Sequence, residues 1–140
     1  MSLCLDTNIL VSLFFEDVHS PKVDRWLKEK PRDMVVSRWA ETEFAAIVTK
    51  RTRVGALTAE AAQEVMAAFD TWVALRARRL VTTPAIGMLA ATLARDYALK
   101  LSGADALHLA QSSEGKHTLV TLDLRLADAA LARGDSLETV

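Results

Sequence analysis

Carboxylates are the residues of this 140-residue chain whose spacing invites chemistry. Asp6 directly follows the apolar run Leu3-Cys4-Leu5, and Asp123 lies just beyond Thr118-Leu119-Val120-Thr121. Glu43 falls in the first turns of a helical pattern that follows Met34-Val35-Val36, and Asp105 stands three residues after Ser102 at the start of another. Ionised carboxylates brought together repel and raise one another's pKa values unless a cation neutralises them. Hard oxygen donors suit Mg2+ or Mn2+, which retain waters and bind phosphate oxygens. A metal so held activates water and stabilises charge on a departing oxygen, as phosphodiester hydrolysis requires. Zinc finds no ligand set here, because the chain has one cysteine and its histidines, His19, His108 and His117, are scattered.

Each acid also has a purely structural reading. Asp6 and Asp123 could cap the helices that follow them, and Asp105 could complete a capping box with Ser102. Glu41 borders the same apolar stripe as Glu43, so periodicity does not choose between them. Thr7 and Asn8 could orient the Asp6 carboxylate or a nearby water, or serve only as helix-start chemistry. Thr121 could bind metal, water or phosphate, or be no more than a good strand former. A lone histidine in Ala-Leu-His-Leu-Ala reads as a packed side chain, so His108 is left out of catalysis. Two basic groups, Lys50, Arg51, Arg53 and Arg76, Arg78, Arg79, could guide a polyanion, though solvated helix ends are the default. Phe14, Phe15, Trp26, Trp39 and Trp72 read as core.

These side chains must be positioned by short apolar runs alternating with longer amphipathic stretches. Leu3–Leu5, Met34–Val36, Leu80–Thr82 and Thr118–Thr121 read as buried strands, with Leu137–Val140 as a fifth. Helical patterns lie at about 7–15, 20–30, 38–52, 58–77, 85–99, 103–114 and 124–133. Strands alternating with helices imply right-handed crossovers and a mainly parallel sheet covered on both faces. In such a sheet, strand exits and the helix starts after them share one edge, where ligands bind. Asp6, Glu43 and Asp123 converge there. Asp105 joins them only if its helix, which leads into a strand, also starts at that edge.

The whole chain sets the remaining bounds. Its length suits one domain over residues 1–140, and 51% hydrophobic residues suffice for a core without disulfides. A net charge of −1 gives no overall basic field, so a nucleic-acid partner requires local positive charge or a metal. Cys4 lies in an apolar run and reads as a small buried hydrophobe. With no leader pattern, no thiol pair and no unbroken apolar span, the expected location is cytoplasmic, with no membrane partner.

The same residues resemble a known family. Leu5-Asp6-Thr7-Asn8-Ile9-Leu10 is similar to the opening motif of PIN-domain nucleases, and Ser37-Arg38-Trp39-Ala40-Glu41-Thr42-Glu43-Phe44 to the second. Ser102 to Ala110, containing Ala104-Asp105-Ala106, resembles the third motif, and Leu119-Val120-Thr121-Leu122-Asp123 the fourth. The serine-to-glutamate interval of the second motif selects Glu43 over Glu41. Size and motif order look like the VapC toxins of toxin–antitoxin pairs. That resemblance implies a three-layer α/β/α sandwich with a mainly parallel four- to five-stranded sheet. It also implies an Mg2+- or Mn2+-dependent endoribonuclease acting on RNA, a homodimer, and a small VapB-like antitoxin partner. Asp6, Glu43, Asp105 and Asp123 become the acidic cluster, with Asp128 as the alternative fourth acid. Two other classes stay open. One is a phosphatase-like enzyme, which lacks the second acid of an Asp-x-Asp opening because Asn8 stands there; the other is a non-catalytic binding module whose acids only cap helices.

Overall fold

The strand β1 (Leu3–Leu5) is apolar at every position because both of its faces are covered. In the computed structural model, which describes residues 1–29 and 32–140, it lies at the centre of a sheet. The chain continues through α1 (Thr7–Phe14), α2 (Ser20–Glu29), β2 (Met34–Ser37), α3 (Arg38–Arg53), α4 (Ala59–Arg76) and β3 (Ala77–Leu80). It then forms α5 (Pro84–Arg95), a 3-10 turn (Tyr97–Leu99), α6 (Gly103–Glu114), β4 (Thr118–Val120), α7 (Leu124–Arg133) and β5 (Leu137–Glu138). The strand order is β3-β2-β1-β4-β5, and every neighbouring pair is parallel. The helix expected over 20–30 is α2, and its last expected residue, Lys30, lies outside the described residues.

Period-two alternation sorts the strand side chains between two layers. Leu3, Leu5, Met34, Val36 and Val120 join Ile9, Val23, Phe44 and Phe69 from α1 to α4. Leu119, one residue out of phase, joins Ile86, Leu93, Leu109 and Leu126 from α5, α6 and α7. Helices cover both faces, which makes the architecture an α/β/α sandwich. Each fully buried Leu, Ile or Phe contributes about 1.5–3 kcal/mol. Phe44 stacks on Phe69 with centroids 4.0 Å apart, and Phe14 meets both rings edge-on. The expected core role of Phe14, Phe15 and Trp72 holds, since all three pack against this first layer.

One strand sits earlier than expected. The third strand was expected at Leu80–Thr82, but β3 runs from Ala77 to Leu80 and follows α4 without a loop. β3 is an edge strand and carries the exposed Arg78 and Arg79, charges that blunt an open edge. An edge strand of this kind contains no apolar run. The stretch expected as one helix over 85–99 divides into α5 and the 3-10 turn, where the Asp96 carboxylate accepts from the Ala98 N–H. Among the described residues, no helix is long and apolar enough to cross a membrane.

Register sets the functional edge. Leu5 pairs with Val120, so the residues that leave β1 and β4 emerge side by side. The Asp6 N–H donates to the Val120 carbonyl at 3.0 Å and extends that pairing by one step. Ser37 ends β2 and caps α3, its hydroxyl accepting from the Ala40 N–H, which starts the helix carrying Glu43.

Candidate active site

Asp6 is the most constrained of the acids. Only 6% exposed, its carboxylate accepts from the Thr7 N–H and from the Thr121 hydroxyl, both at 2.6 Å. The Thr121 oxygen also accepts from the Asn8 side-chain amide at 3.2 Å and from the Asp123 N–H at 3.0 Å. Asn8 in turn accepts from the Leu122 N–H at 3.1 Å. Thr121 and Asn8 therefore tie the β1 exit to the β4 exit and hold Asp6 and Asp123 on one rigid frame.

Glu43 enters from α3. One of its oxygens accepts from the Thr7 hydroxyl at 2.8 Å and is hydrogen-bonded to the imidazole of His108. His108 is 3% exposed, and its Nε2 also lies 3.4 Å from Asp6. Three residues separate Asp105 from His108 on α6, which places them on one helix face. Ser102 caps that helix by accepting from the Asp105 N–H at 3.1 Å. At the start of α7 the Asp123 carboxylate accepts from the N–H groups of Arg125 and Leu126. The capping readings of Asp6 and Asp123 are thus realised, and they coexist with convergence. Capping does not take either acid out of the site, since both also line the same cavity.

All four acids line one cavity of about 520 Å³, together with His108 and Asn8. Thr7 lines it too, while Thr121 acts from behind through Asp6 and Asn8. The rival of Glu43 is engaged elsewhere: Glu41 pairs with Arg38 at 3.0 Å and with Arg79 at 2.9 Å. Asp128 lines a different groove. Asp105 reaches the cavity, as strand order alone could not decide. His108, set aside as a packed side chain, is buried but sits between Asp6 and Glu43. Its spacing from Asp105 on one helix face was the available signal.

Burial and neighbours act against each other here. Burial pushes the Asp6 carboxyl upward, and Glu43 adds to this; His108, Thr121 and Thr7 only partly offset the rise. Burial also pushes Glu43 upward, but the hydrogen bond and charge of His108, with the Thr7 hydroxyl, outweigh it and leave Glu43 below the usual range. For His108, burial favours the neutral ring, yet the bond to Glu43 and the charges of Asp6, Glu43 and Asp105 raise its pKa above 6.5. Two adjacent carboxyls are driven apart, a pattern common at reactive sites. Cys4 is different. Burial first and then the Asp6 charge push its thiol up to about 12, so it is an inert core side chain.

The donor set fits a hydrated divalent cation better than a closed cage. Among the described residues, no three acids or histidines are drawn around one point. Mg2+ does not need that, since it keeps several waters and binds proteins through one or two carboxylates. The basic groups noted in the sequence are partly engaged: Arg78 pairs with Asp33 at 3.1 Å, Arg79 with Glu41, and the Arg51 guanidinium lies 4.0 Å over the Phe15 ring.

Residues 3–131 match the family model described as the PIN domain. Among solved structures, the chain is similar to VapBC2 from Rickettsia felis bound to a DNA fragment from its promoter. That match has a TM-score of 0.72 and 18% identity, and covers 100% of this chain and 99% of the other. FitAcB from Neisseria gonorrhoeae has a TM-score of 0.77 and 17% identity, covering 96% and 95%. VapC20 from Mycobacterium tuberculosis, described as a Sarcin-Ricin loop cleaving toxin, has a TM-score of 0.70 and 19% identity, covering 91% and 95%. At these identities the likeness is one of fold. No curated protein matches the sequence.

Proposed function

Because this chain belongs to the PIN-domain family, we propose that it is a metal-dependent endoribonuclease, the toxin of a VapBC-type toxin–antitoxin pair. One observation carries the reading: acids from the β1 exit, α3, α6 and the α7 start, far apart in sequence, line one cavity. The description of VapC20 as a Sarcin-Ricin loop cleaving toxin, and of a neighbour from Klebsiella pneumoniae as a toxin–antitoxin complex, supports the substrate and partner classes. Residues 1–140 would act as one nuclease domain in the cytoplasm, as a homodimer, held inactive by a small VapB-like protein.

In this reading Asp6 and Asp105 are the principal ligands of Mg2+ or Mn2+, and Glu43 and Asp123 complete the negative shell. A divalent ion held by these acids would supply positive charge for the phosphodiester and lower the pKa of a water, so that it could attack as hydroxide. The chain's own residues do the positioning. Thr121 and the Thr7 N–H fix both oxygens of Asp6, so its carboxylate needs no reorganisation as charge develops. His108 and Thr7 hold one oxygen of Glu43 and leave the other free to orient a water. Asn8 is committed to Leu122 and Thr121, which argues against a phosphatase reading that needs an acid there.

The test is cleavage of RNA by the purified protein with and without Mg2+ or Mn2+. Cutting is expected with either ion and is lost in EDTA and in a folded Asp6→Asn protein. Full activity in EDTA, or unchanged cutting by Asp6→Asn, contradicts the assignment. Expression alone is expected to arrest growth, with rescue by the product of an adjacent small gene.

A further inference from the structure

A second groove, of about 440 Å³, lies between the 3-10 turn and α7, lined by Ala98, Leu99, Lys100, Arg125, Asp128 and Ala129. Its two cations are placed by the segments that place two of the site acids. Arg125 follows Asp123 by two residues, and its N–H donates to the Asp123 carboxylate at 2.9 Å. Lys100 opens the short link through the Ser102 cap to Asp105. It adopts a left-handed backbone, φ 55° and ψ 36°, that L side chains seldom take, with its N–H donating to the Tyr97 carbonyl. Five of the ten other arginines face a carboxylate: Arg32, Arg38, Arg78, Arg79 and Arg133. Among the described residues, Lys100 and Arg125 form no ion pair. Tyr97, next in the chain to the groove lining, is 93% exposed and leaves an aromatic face to solvent.

We propose that this groove holds the phosphodiester backbone of the RNA strand beside the bond that is cut, with Lys100 and Arg125 each contacting one phosphate. The inference rests on the nuclease reading and adds to it the surface that receives the flanking strand. It answers an electrostatic difficulty. A chain of net charge −1 whose reactive cavity is lined by acids repels a polyanion, and it needs cations close to that cavity to draw one in. Of the basic residues noted in the sequence, Arg78 and Arg79 are already paired with Asp33 and Glu41. Asp128 lines the same groove and reduces its positive charge. Removing that acid therefore tightens the strand, whereas removing either cation loosens it. An exposed aromatic ring beside such cations offers a base a stacking surface.

The experiment measures steady-state cleavage of a single-stranded RNA of known cut site across a series of KCl concentrations. Lys100→Gln with Arg125→Gln is compared with a control pair on α2, Arg25→Gln with Lys28→Gln. The groove pair is expected to raise KM about tenfold with little change in kcat. It also makes the slope of log(kcat/KM) against log salt shallower by about 1.4, roughly 0.7 for each lost phosphate contact on a single strand. The charge-keeping pair Lys100→Arg with Arg125→Lys restores KM, and Asp128→Asn lowers it; matched thermal midpoints show that folding is intact. If the unaltered protein cuts RNA and the groove pair behaves like the control pair, the groove assignment falls and the nuclease reading stands. If the unaltered protein cuts no RNA with Mg2+ or Mn2+, the nuclease reading falls and takes the groove's role with it.

Discussion

Asp6 and Asp17 both stand beside a helix entry and line the same cavity, yet their carboxyls are pulled in opposite directions. Asp17 lies in the turn between α1 and α2. It accepts from the Ser12 hydroxyl and the His19 N–H at 2.8 Å and from the Ser20 N–H at 2.9 Å. Slight burial pushes it upward, but these bonds outweigh that and leave its carboxyl below the ordinary range. Its partners all come from neighbouring residues. Asp6 is buried, its carboxyl raised, and two of its partners, Thr121 and His108, come from the other half of the chain. The charge on Asp17 therefore supports the fold, whereas the charge on Asp6 works against it. A charge that stability does not explain points to function.

The comparison breaks most readily at Asp6 itself. Asp6→Asn is expected to reduce RNA cleavage about a hundredfold or more, the scale of losing one charge-stabilising group. Its thermal midpoint in EDTA should match or exceed that of the unaltered protein, because a disfavoured charge is gone. A variant that melts early but cuts RNA normally would make Asp6 another Asp17. Next in size, Thr121→Val removes the hydroxyl joining Asp6, Asn8 and Asp123. Denaturant unfolding should show a loss of about 1–3 kcal/mol, as expected when buried partners are left unsatisfied. No measurable loss would mean the frame is incidental.

Asp17→Ala should remove about 1 kcal/mol, the scale of losing hydrogen bonds that close a turn, and leave cutting nearly unchanged. Its pH dependence follows from the depressed carboxyl. The contribution is complete above the ordinary value of 3.8 and is lost as pH falls through the lower folded value, so the two proteins converge in acid. Convergence at alkaline pH instead would contradict the assignment. The smallest effect belongs to Glu41→Gln, which breaks the pairs with Arg38 and Arg79. Less than about 1 kcal/mol should be lost, with no change in cleavage. Glu43→Gln, two residues on, should impair cutting clearly.

Legibility followed the range of the forces involved. β1, β2 and β4 are doubly covered, so their apolar runs announced them. β3 is an edge strand whose arginines face solvent, and its pattern pointed too late. Asp6, Glu43 and Asp123 could be brought to one edge from strand order, because parallel exits coincide. Asp105 needed the family resemblance, since nothing local says where α6 begins in space. His108 was passed over because its flanking Ala and Leu residues signal burial but not what a buried ring touches. The paired state of Arg78 and Arg79, and the groove holding Lys100 and Arg125, depend on contacts across elements that periodicity does not encode.

The most direct test is a calorimetric titration of Mn2+ into the metal-free protein and into Asp6→Asn and Asp105→Asn. The account predicts saturable binding that each substitution weakens by more than about tenfold, since affinity for a hard cation follows the charge of its ligands. Equal affinity in all three proteins, or no binding heat in any of them, would show that these acids do not act together on a cation.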